Sequence, residues 1–200
     1  MSLADQERWD ARYRAGAYSD RPHPSAFLQQ RWPQLDLPPG ARVLDVACGA
    51  GRNALYLAAL GCEVSAIDGS AVALERARST SPDLEVQWQV ADLEHGLPAG
   101  LGLFDLIVMV RYVNATVLQA LPTLMRPGGL LLIEQHMQTT AAVGGPGHAA
   151  FRVAPGALRA AVPGLQCLVA EEGLIPDPDN KPMALTRLLA RLPADLSAPD

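Results

Sequence analysis

Residues 42–58 read RVLDVACGAGRNALYLA, and this stretch decides the fold. It begins with a short, mostly apolar run at 43–46 that has the length of a buried strand. Gly49 and Gly51 then allow the backbone to turn tightly and to approach a ligand closely. The apolar residues from Ala54 onward predict a helix whose first N–H groups point back into the turn. This order predicts an open α/β sheet that binds a ligand at the carboxyl ends of its strands.

Two segments downstream also have strand character and end in an acid. Residues 62–70 read CEVSAIDGS and place Asp68 at a strand end, and residues 84–93, LEVQWQVADL, place Asp92 at another. Ser70 is expected to cap the helix that follows. An isolated Asp often bonds only its own turn. Acids at successive strand ends beside a glycine turn instead favour a shared ligand.

Two cofactor classes fit the glycine turn. The Gly49-x-Gly51 spacing, with Asp68 about 20 residues farther on, satisfies a loose dinucleotide pattern. Asp45 disfavours that interpretation, because the strand before a dinucleotide-binding turn usually stays apolar. The pattern Val-Leu-Asp-x-x-x-Gly-x-Gly at 43–51 instead resembles the first motif of class I S-adenosylmethionine (SAM) methyltransferases.

The resemblance implies both a fold and a cofactor. The implied fold is a seven-stranded, mostly parallel, Rossmann-like α/β sheet with helices on both faces and an antiparallel last strand at 183–192. That last segment is locally ambiguous, because Leu185, Leu188 and Leu192 have helical spacing. The implied cofactor is SAM, with S-adenosylhomocysteine as product. The other elements predicted from the sequence are helices at 3–14, 26–32, 71–78 and 155–161, strands at 104–110, 130–133 and 165–170, and turns at 126–129 and 177–182.

The resemblance also implies which residues contact the cofactor. A carboxylate at Asp68 can accept hydrogen bonds from both ribose hydroxyls. In the family, the acid that corresponds to Asp92 accepts from the adenine amino group, and the next backbone N–H, that of Leu93, donates to the ring. The implied cofactor-binding residues are Trp9, Tyr13, Asp45, Ala47, Gly49, Gly51, Arg52, Asn53, Asp68, Gly69, Asp92, Leu93 and Arg111.

Three segments narrow the resemblance to one branch of the family. Residues 9–13 (WDARY), 51–58 (GRNALYLA) and 111–113 (RYV) resemble the tellurite-resistance/thiopurine branch and its uncharacterised bacterial members. Members of this branch differ in substrate, so the resemblance does not name the methyl acceptor.

The chemistry of methyl transfer limits what the protein must supply. The reaction is an in-line displacement at a sulfonium methyl, so the protein positions the nucleophile and excludes water. A thiol or a chalcogen oxyanion needs little help from a base, whereas a hydroxyl would want one. The catalytic candidates are Arg111, His136 and Tyr112, with His23 and His148 as further histidines that could equally be structural. Arg111 or Arg52 could also bind the carboxylate of SAM.

One domain is expected to span residues 1–200. Residues 1–32 are predicted to form lid helices, with Trp9 and Tyr13 on one helix face, where they either pack on the sheet or attract the cofactor's sulfonium. Residues 40–135 are the cofactor-binding core. Residues 135–156 are predicted to be a loop that overhangs the acceptor.

Composition excludes several other classes of protein. The formal net charge is −5 and Lys and Arg form no cluster, which argues against a nucleic-acid surface and favours a small-molecule acceptor. The apolar run at 101–110 is too short and broken to span a membrane. Cys48, Cys62 and Cys167 lack disulfide or metal spacing. Residues 1–8 lack the pattern of a secretion signal, so a cytoplasmic monomer or homodimer without a metal is expected.

Two other function classes stay open at this stage. A non-catalytic SAM-binding module would have the same cofactor pocket, although the lid segments favour an enzyme that sequesters an acceptor. An NAD-dependent oxidoreductase would use the same glycine turn, and Asp45 and Asp92 argue against it.

Overall fold

The computed structural model describes residues 3–19, 21–176 and 182–194. Their strands pair into one seven-stranded sheet in the order 3-2-1-4-5-7-6. The strands are β1 (Arg42–Val46), β2 (Glu63–Asp68), β3 (Val86–Val90), β4 (Phe104–Val110), β5 (Met125–His136), β6 (Gln166–Pro176) and β7 (Pro182–Arg191). Within the set β1 to β5, each strand is parallel to the strands with which it pairs. Strand β7 is antiparallel to both β5 and β6. The predicted fold class, including the antiparallel last strand, is confirmed.

Helices lie on both faces of this sheet. They are α1 (Leu3–Arg14), α2 (Ala26–Arg31), α3 (Arg52–Ala59), α4 (Ala71–Thr80), α5 (Ala115–Ala120) and α6 (Ala157–Ala161). Successive residues of a strand point to opposite faces, so Val43 joins the cluster under α2 to α4, and Leu44 joins the cluster under α5 and α6. Burial on both faces explains why the central strands read as near-continuous apolar runs.

The strand order creates a crevice beside β1. The chain leaves β1 toward β2 and β3, then returns to place β4 on the other side of β1. Ligands of open α/β sheets bind at such a switch point, outside the carboxyl ends of the strands. The ends of β1, β2, β4 and β5 therefore define where a functional site should lie.

Two predicted boundaries at β5 are wrong. Residues 126–129 do not form a turn between elements. They form a bulge inside β5, because Phe104 pairs with Met125 while Leu106 already pairs with Leu130. At its other end β5 continues through His136, so the predicted loop at 135–156 begins only after that residue.

Other local predictions also differ from the structure. Ser25 precedes α2 and has the residue type of a helix cap, but its side chain makes no capping hydrogen bond. Its backbone N–H donates to Oδ1 of Asn53 at 2.8 Å. Ser70 does cap α4, because its hydroxyl accepts from the N–H of Ala73 at 3.1 Å. β6 extends to Pro176, six residues past its predicted end at Ala170. The turn predicted at 177–182 lies almost entirely outside the described residues. Within the described ranges, the helices are too short or too polar to cross a membrane.

Candidate functional site

The glycine turn after β1 has the backbone that its sequence predicts. Ala47, Gly49 and Gly51 have positive φ angles of 55°, 56° and 78°. A Cβ on Gly51 would lie 2.5 Å from the ring of Trp88 and 2.9 Å from Cβ of Ala77. Gly51 is therefore required both by its left-handed conformation and by the close packing of β3 and α4 behind the turn.

Asp68 connects the end of β2 to the glycine turn. Its Oδ2 accepts from the N–H of Gly49 at 2.7 Å, and its Oδ1 accepts from the N–H of Ser70 at 2.8 Å. A carboxylate has about four lone-pair sites, so both oxygens keep capacity for further donors such as ribose hydroxyls. Asp68 thus holds the turn in place and also stays able to bind a ligand.

Asp45 is a buried acid with one unsatisfied acceptor oxygen. Its side chain is 1% exposed, and its Oδ2 has no hydrogen-bond partner among the described residues. Burial raises the pKa of Asp45 to about 7, although the positive charge of Arg52 and the N–H of Ala54 act in the opposite direction. An orphaned carboxylate oxygen beside the glycine turn suits a ligand that brings a cation or a strong donor.

The third acid is bonded locally. Oδ1 of Asp92 accepts from the N–H of Glu94 at 3.0 Å, and its Oδ2 lies 2.7 Å from Nδ1 of His95. The side chain of Asp92 is 37% exposed, unlike that of Asp45. Leu93 beside it is buried. These local contacts are the kind that an isolated Asp often makes within its own turn. A contact between Asp92 and adenine is still a prediction.

Helix α1 covers the glycine turn. A Cβ on Gly49 would lie 2.4 Å from the hydroxyl of Tyr13. The rings of Trp9 and Tyr13 lie 6.4 Å apart, and Oδ1 of Asp10 accepts from the hydroxyl of Ser70 at the start of α4. Burial, followed by the nearby charge of Asp68, raises the pKa of Tyr13, so its hydroxyl stays protonated. Helix α1 therefore lies against the glycine turn, and its role as a lid stays a prediction.

A cleft opens at the carboxyl ends of β4 and β5. Its accessible volume is about 20 Å³, which is room for about one water molecule, so the cleft is narrow in this structure. Its lining consists of Arg21, His23, Pro24, Ser25, Ala26, Arg52, Arg111, Glu134, Leu185 and Arg187. The loop before α2 forms its rim. None of residues 135–156 lines this cleft, and the position of that loop over the acceptor stays a prediction.

Arg111 is held firmly at the end of β4. Its backbone has a φ of 62°, which is strained for a residue with a side chain. Its Nε donates to Oε1 of Glu134 at 2.9 Å, and its Nη1 lies 3.0 Å from Nε2 of His136 and 3.1 Å from Sδ of Met183. The guanidinium therefore lines the cleft in a fixed orientation.

Glu134 is the centre of a buried ion-pair network. It is 1% exposed, and its Oε2 accepts from Nε of Arg187 at 2.7 Å. Burial by itself would raise the pKa of Glu134, but Arg111 and Arg187 outweigh it and hold that pKa below its usual value. Glu171 joins Arg187 from β6 and also pairs with Arg31. Glu134 consequently stays ionised, and each of its two carboxylate oxygens accepts a hydrogen bond from an arginine.

His136 and Tyr112 are poorly placed to act as bases. Burial, together with the charge of Arg111, lowers the pKa of His136 to about 3, so its ring is neutral at physiological pH. Its Nε2 then accepts from Arg111, and its buried Nδ1 has no partner among the described residues. The hydroxyl of Tyr112 donates to Glu94 at 3.3 Å, and burial raises its pKa.

The structure brings most of the predicted site together. Arg52 directly follows the glycine turn and also lines the cleft, so it connects the two. Its Nη1 donates to the backbone carbonyl of His23 at 3.2 Å. Asn53 is buried, and its side-chain Oδ1 accepts a hydrogen bond from the backbone N–H of Ser25. That oxygen is therefore already engaged. His148 lies elsewhere and caps a short 3₁₀ turn through the N–H of Ala150 at 3.2 Å.

Sequence reasoning missed three charged residues of the cleft. Arg21 lies in a loop of no clear pattern, and Glu134 lies inside an apolar strand. Arg187 lies in the predicted last strand, β7, but nothing in the local sequence indicates that its side chain reaches the cleft. A charged residue within an apolar run, as at Glu134, is the one signal that could have found part of this network, since a buried charge requires a partner.

Comparisons with known proteins agree with this geometry. Residues 43–129 match the family model described as a methyltransferase domain. An uncharacterized methyltransferase of Synechocystis sp. is 34% identical over 118 residues, which are 55% of this chain and 54% of that protein. A ubiquinone biosynthesis O-methyltransferase of Xanthomonas campestris pv. campestris is 32% identical over 111 residues, or 52% of this chain and 46% of that protein.

A solved structure extends the likeness of fold beyond that segment. TehB from Haemophilus influenzae aligns with a TM-score of 0.69 at 23% identity, over 88% of this chain and 65% of that chain. This chain spans about half the length of the curated relatives that it matches. The resemblance to methyltransferases that the sequence predicts is confirmed for residues 43–129, and the TehB structure shares the fold.

Proposed function

We propose that this chain, which carries a methyltransferase domain over residues 43–129, transfers a methyl group from SAM to a small acceptor that reacts through a thiol or a chalcogen oxyanion. The observation that carries the proposal is the arginine-lined cleft beside the glycine turn, in which the predicted catalytic side chains are already engaged. Such a cleft can hold and orient a nucleophile that arrives ionised.

The residues around the glycine turn fit the cofactor. The orphaned Oδ2 of Asp45 suits the ammonium of its methionine part, and Asp68 keeps lone pairs for the ribose hydroxyls. The rings of Trp9 and Tyr13 offer aromatic faces to a positively charged sulfonium. When bound, SAM supplies an activated methyl group whose leaving group is a neutral thioether.

The acceptor side lacks an obvious base among the predicted candidates. Glu134 is ionised but occupied by two arginines, and His136 is neutral with its Nε2 occupied. Tyr112 stays protonated because burial raises its pKa. A thiolate or an oxyanion needs no proton removed at the moment of transfer, so this arrangement favours such nucleophiles over alcohols. His23 also lines the cleft, and the substitution His23→Gln tests whether a base is used there.

Turnover of SAM with a panel of acceptors tests this function. We expect S-adenosylhomocysteine to form with thiols, selenite or tellurite, and much less with phenols and amines. We also expect His23→Gln to leave the rate with thiols unchanged. Turnover with phenols alone, lost in His23→Gln, would contradict the proposed nucleophile class and favour an O-methyltransferase such as the Xanthomonas relative.

The same assay separates an enzyme from a non-catalytic SAM-binding module. A module would bind S-adenosylhomocysteine and turn over no acceptor of any class. The cleft favours the enzyme, because a sensor does not need a second pocket next to the cofactor site.

A further inference from the structure

We propose that Asn114 is a positioning residue for the cofactor. Its side-chain amide ties the turn after β3 to the end of β4, and so fixes the backbone of Leu93, whose N–H is predicted to bind the adenine ring. The inference rests on the proposed function, because the cofactor and its predicted contacts are taken from there. It goes beyond that function by naming a residue that acts through Leu93 and sets the preference for adenine.

The turn after β3 and the end of β4 come from distant strands. In the order 3-2-1-4-5-7-6, β3 and β4 are three places apart, which is about 14 Å at the usual spacing of strands. The chain crosses this distance directly after β3, because Leu93 is buried in the same cluster as Leu44 of β1 and Met109 of β4. The turn at Leu93–His95 therefore lies close to β1 and β4, beside the crevice.

Asn114 uses both ends of its side-chain amide. Its Oδ1 accepts from the N–H of Val117 at 3.0 Å and so caps α5. This bond requires the oxygen on the helix side, so Nδ2 points the other way. There Nδ2 donates to the carbonyl of Leu93 at 3.2 Å and to the hydroxyl of Tyr112 at 3.3 Å. One side chain thus connects α5, the turn after β3 and the end of β4.

Tyr112 holds the same turn from a second direction. Its hydroxyl donates to Oε1 of Glu94 at 3.3 Å. Its backbone carbonyl accepts from Nε2 of Gln135 on β5 at 2.5 Å, and Gln135 is 1% exposed, so this bond is shielded from water. Tyr112 also packs against the cluster that contains Leu93. The hydroxyl that the sequence suggests as catalytic is therefore engaged in supporting the turn.

The backbone hydrogen bonds within the turn are long. The N–H of Gly96 lies 3.3 Å from the carbonyl of Leu93, and the N–H of His95 lies 3.3 Å from that of Asp92. Both distances exceed the usual range for such bonds, and the geometry of 3₁₀ turns is poorer than that of α-helices. The contacts from Asn114 and Tyr112 therefore contribute strongly to where this turn lies relative to β4.

Recognition of adenine requires the turn in one position. The predicted contacts run from the adenine amino group to Asp92 and from the N–H of Leu93 to the ring. A hydrogen bond weakens steeply when its length or angle changes, whereas apolar contact with a base is far less directional. Displacement of the turn should therefore reduce discrimination between bases more than it reduces binding as such.

The test compares two ligands that differ only in the base. S-inosylhomocysteine has a carbonyl in place of the adenine amino group and a hydrogen on the neighbouring ring nitrogen, so it lacks the predicted contacts. The readout is the ratio of the Kd values of S-inosylhomocysteine and S-adenosylhomocysteine, measured by calorimetry. We expect wild type to prefer S-adenosylhomocysteine by about 10- to 100-fold, the value of one or two hydrogen bonds. Equal Kd values for the two ligands would overturn the inference.

Two substitutions at Asn114 separate positioning from helix capping. Asn114→Ser keeps an oxygen that can cap α5 but lacks the amide donors, and Asn114→Ala lacks both. We expect the preference for adenine to fall about fivefold or more in both variants, while the midpoint of urea unfolding falls further in Asn114→Ala. An unchanged preference in Asn114→Ser would show that Asn114 is only a helix cap and would overturn the inference.

Thr123→Ala is the matched control. Thr123 is exposed and donates to the carbonyl of Ala120 at 2.7 Å, just past the other end of α5, so its loss removes a hydrogen bond of the same helix away from the turn. This variant should keep the preference of wild type. Tyr112→Phe removes only a hydroxyl and should lower the preference by a few-fold, which keeps the inference testable if the variants at Asn114 do not fold.

The outcomes distinguish this inference from the proposed function. Failure of wild type to bind S-adenosylhomocysteine contradicts the proposed function and the inference together. A strong preference for adenine that Asn114→Ser and Tyr112→Phe leave unchanged overturns the inference alone.

Discussion

The hydroxyl of Tyr13 lies directly over Gly49, so close that a Cβ on that glycine would be 2.4 Å from it. Helix α1 thus rests on the turn where the backbone must approach a cofactor. Asp10 fastens the same helix to α4 through the hydroxyl of Ser70. Helix α1 and the glycine turn are therefore in direct contact, and a change at either residue should affect ligand binding at the turn.

Gly49→Ala should weaken S-adenosylhomocysteine binding at least tenfold and destabilise the fold. The new methyl group would clash with Tyr13, and the φ of 56° is unfavourable for alanine by roughly 1–2 kcal/mol. Calorimetry and urea unfolding measure both effects. Gly61→Ala is the control, because Gly61 has a φ of 85° and nothing within 4 Å of a new Cβ. Adding Tyr13→Phe to Gly49→Ala should recover stability but not affinity, and equal affinities in the two alanine variants would contradict this assignment.

Asp45→Asn should change how stability depends on pH. The folded pKa is about 7 and the unfolded value about 3.9, so between these pH values the folded state holds a proton that the unfolded state has lost. Stability from this group therefore falls as pH rises, by on the order of 4 kcal/mol in total. Between pH 5 and pH 8 this group contributes about 2–3 kcal/mol of that fall, while His136 acts in the opposite direction. Urea unfolding of the ligand-free protein at these two pH values should therefore show a change that is about 2–3 kcal/mol more negative in wild type and in the exposed control Asp83→Asn than in Asp45→Asn. Parallel pH profiles for Asp45→Asn and wild type would rule out a buried, neutral Asp45.

Glu134→Ala should cost about 3–5 kcal/mol of unfolding free energy at pH 7, because it leaves Arg111 and Arg187 without their shared partner. The pKa of Glu134 is lowered, so its contribution is complete above pH 4 to 5 and is lost as the pH falls through the folded value. Glu75→Ala, which removes an exposed pair with Arg78, should cost less than about 1 kcal/mol in the same urea experiment. Similar losses at the two glutamates would mean that the network does not hold the cleft.

His136→Gln should make the protein less sensitive to acid. The pKa of His136 is about 3 in the folded state and about 6.5 in the unfolded state. Below pH 6.5 the unfolded state therefore binds a proton that the folded state does not bind. At pH 5 this costs the wild type about 2 kcal/mol relative to pH 8. Urea unfolding at both values measures the difference, with the exposed His148→Asn as the control. An unchanged pH slope in His136→Gln would show that His136 protonates freely and could after all act as a base.

The sequence predicts the geometry around the glycine turn better than that of the cleft, for a physical reason. Asp45, Gly49 and Asp68 depend on local strand ends and on a turn whose sequence pattern is contained within a few residues. The pairing of Arg111 with Glu134 and Arg187 depends on β7 lying between β5 and β6, a long-range arrangement that local periodicity does not encode.

At two positions, tertiary contacts override the conformation that the local residue types favour. Ser25 has the residue type of a helix cap, yet its N–H is used by Asn53 and its hydroxyl is buried without a partner among the described residues. Residues 126–129 have the composition of a turn, yet pairing with β4 retains them as a bulge of β5. In both cases tertiary contacts decided between conformations that the local sequence permits.

The most direct test of the account is a calorimetric titration of wild type and Asp68→Ala with S-adenosylhomocysteine, and of wild type with NAD. We predict micromolar binding of S-adenosylhomocysteine to wild type, a loss on the order of 1–3 kcal/mol in Asp68→Ala, and no binding of NAD. The exposed Asp83→Ala should bind as wild type does. Failure of S-adenosylhomocysteine to bind, or binding of NAD in its place, would contradict the assignment of the glycine turn and of the acids beside it.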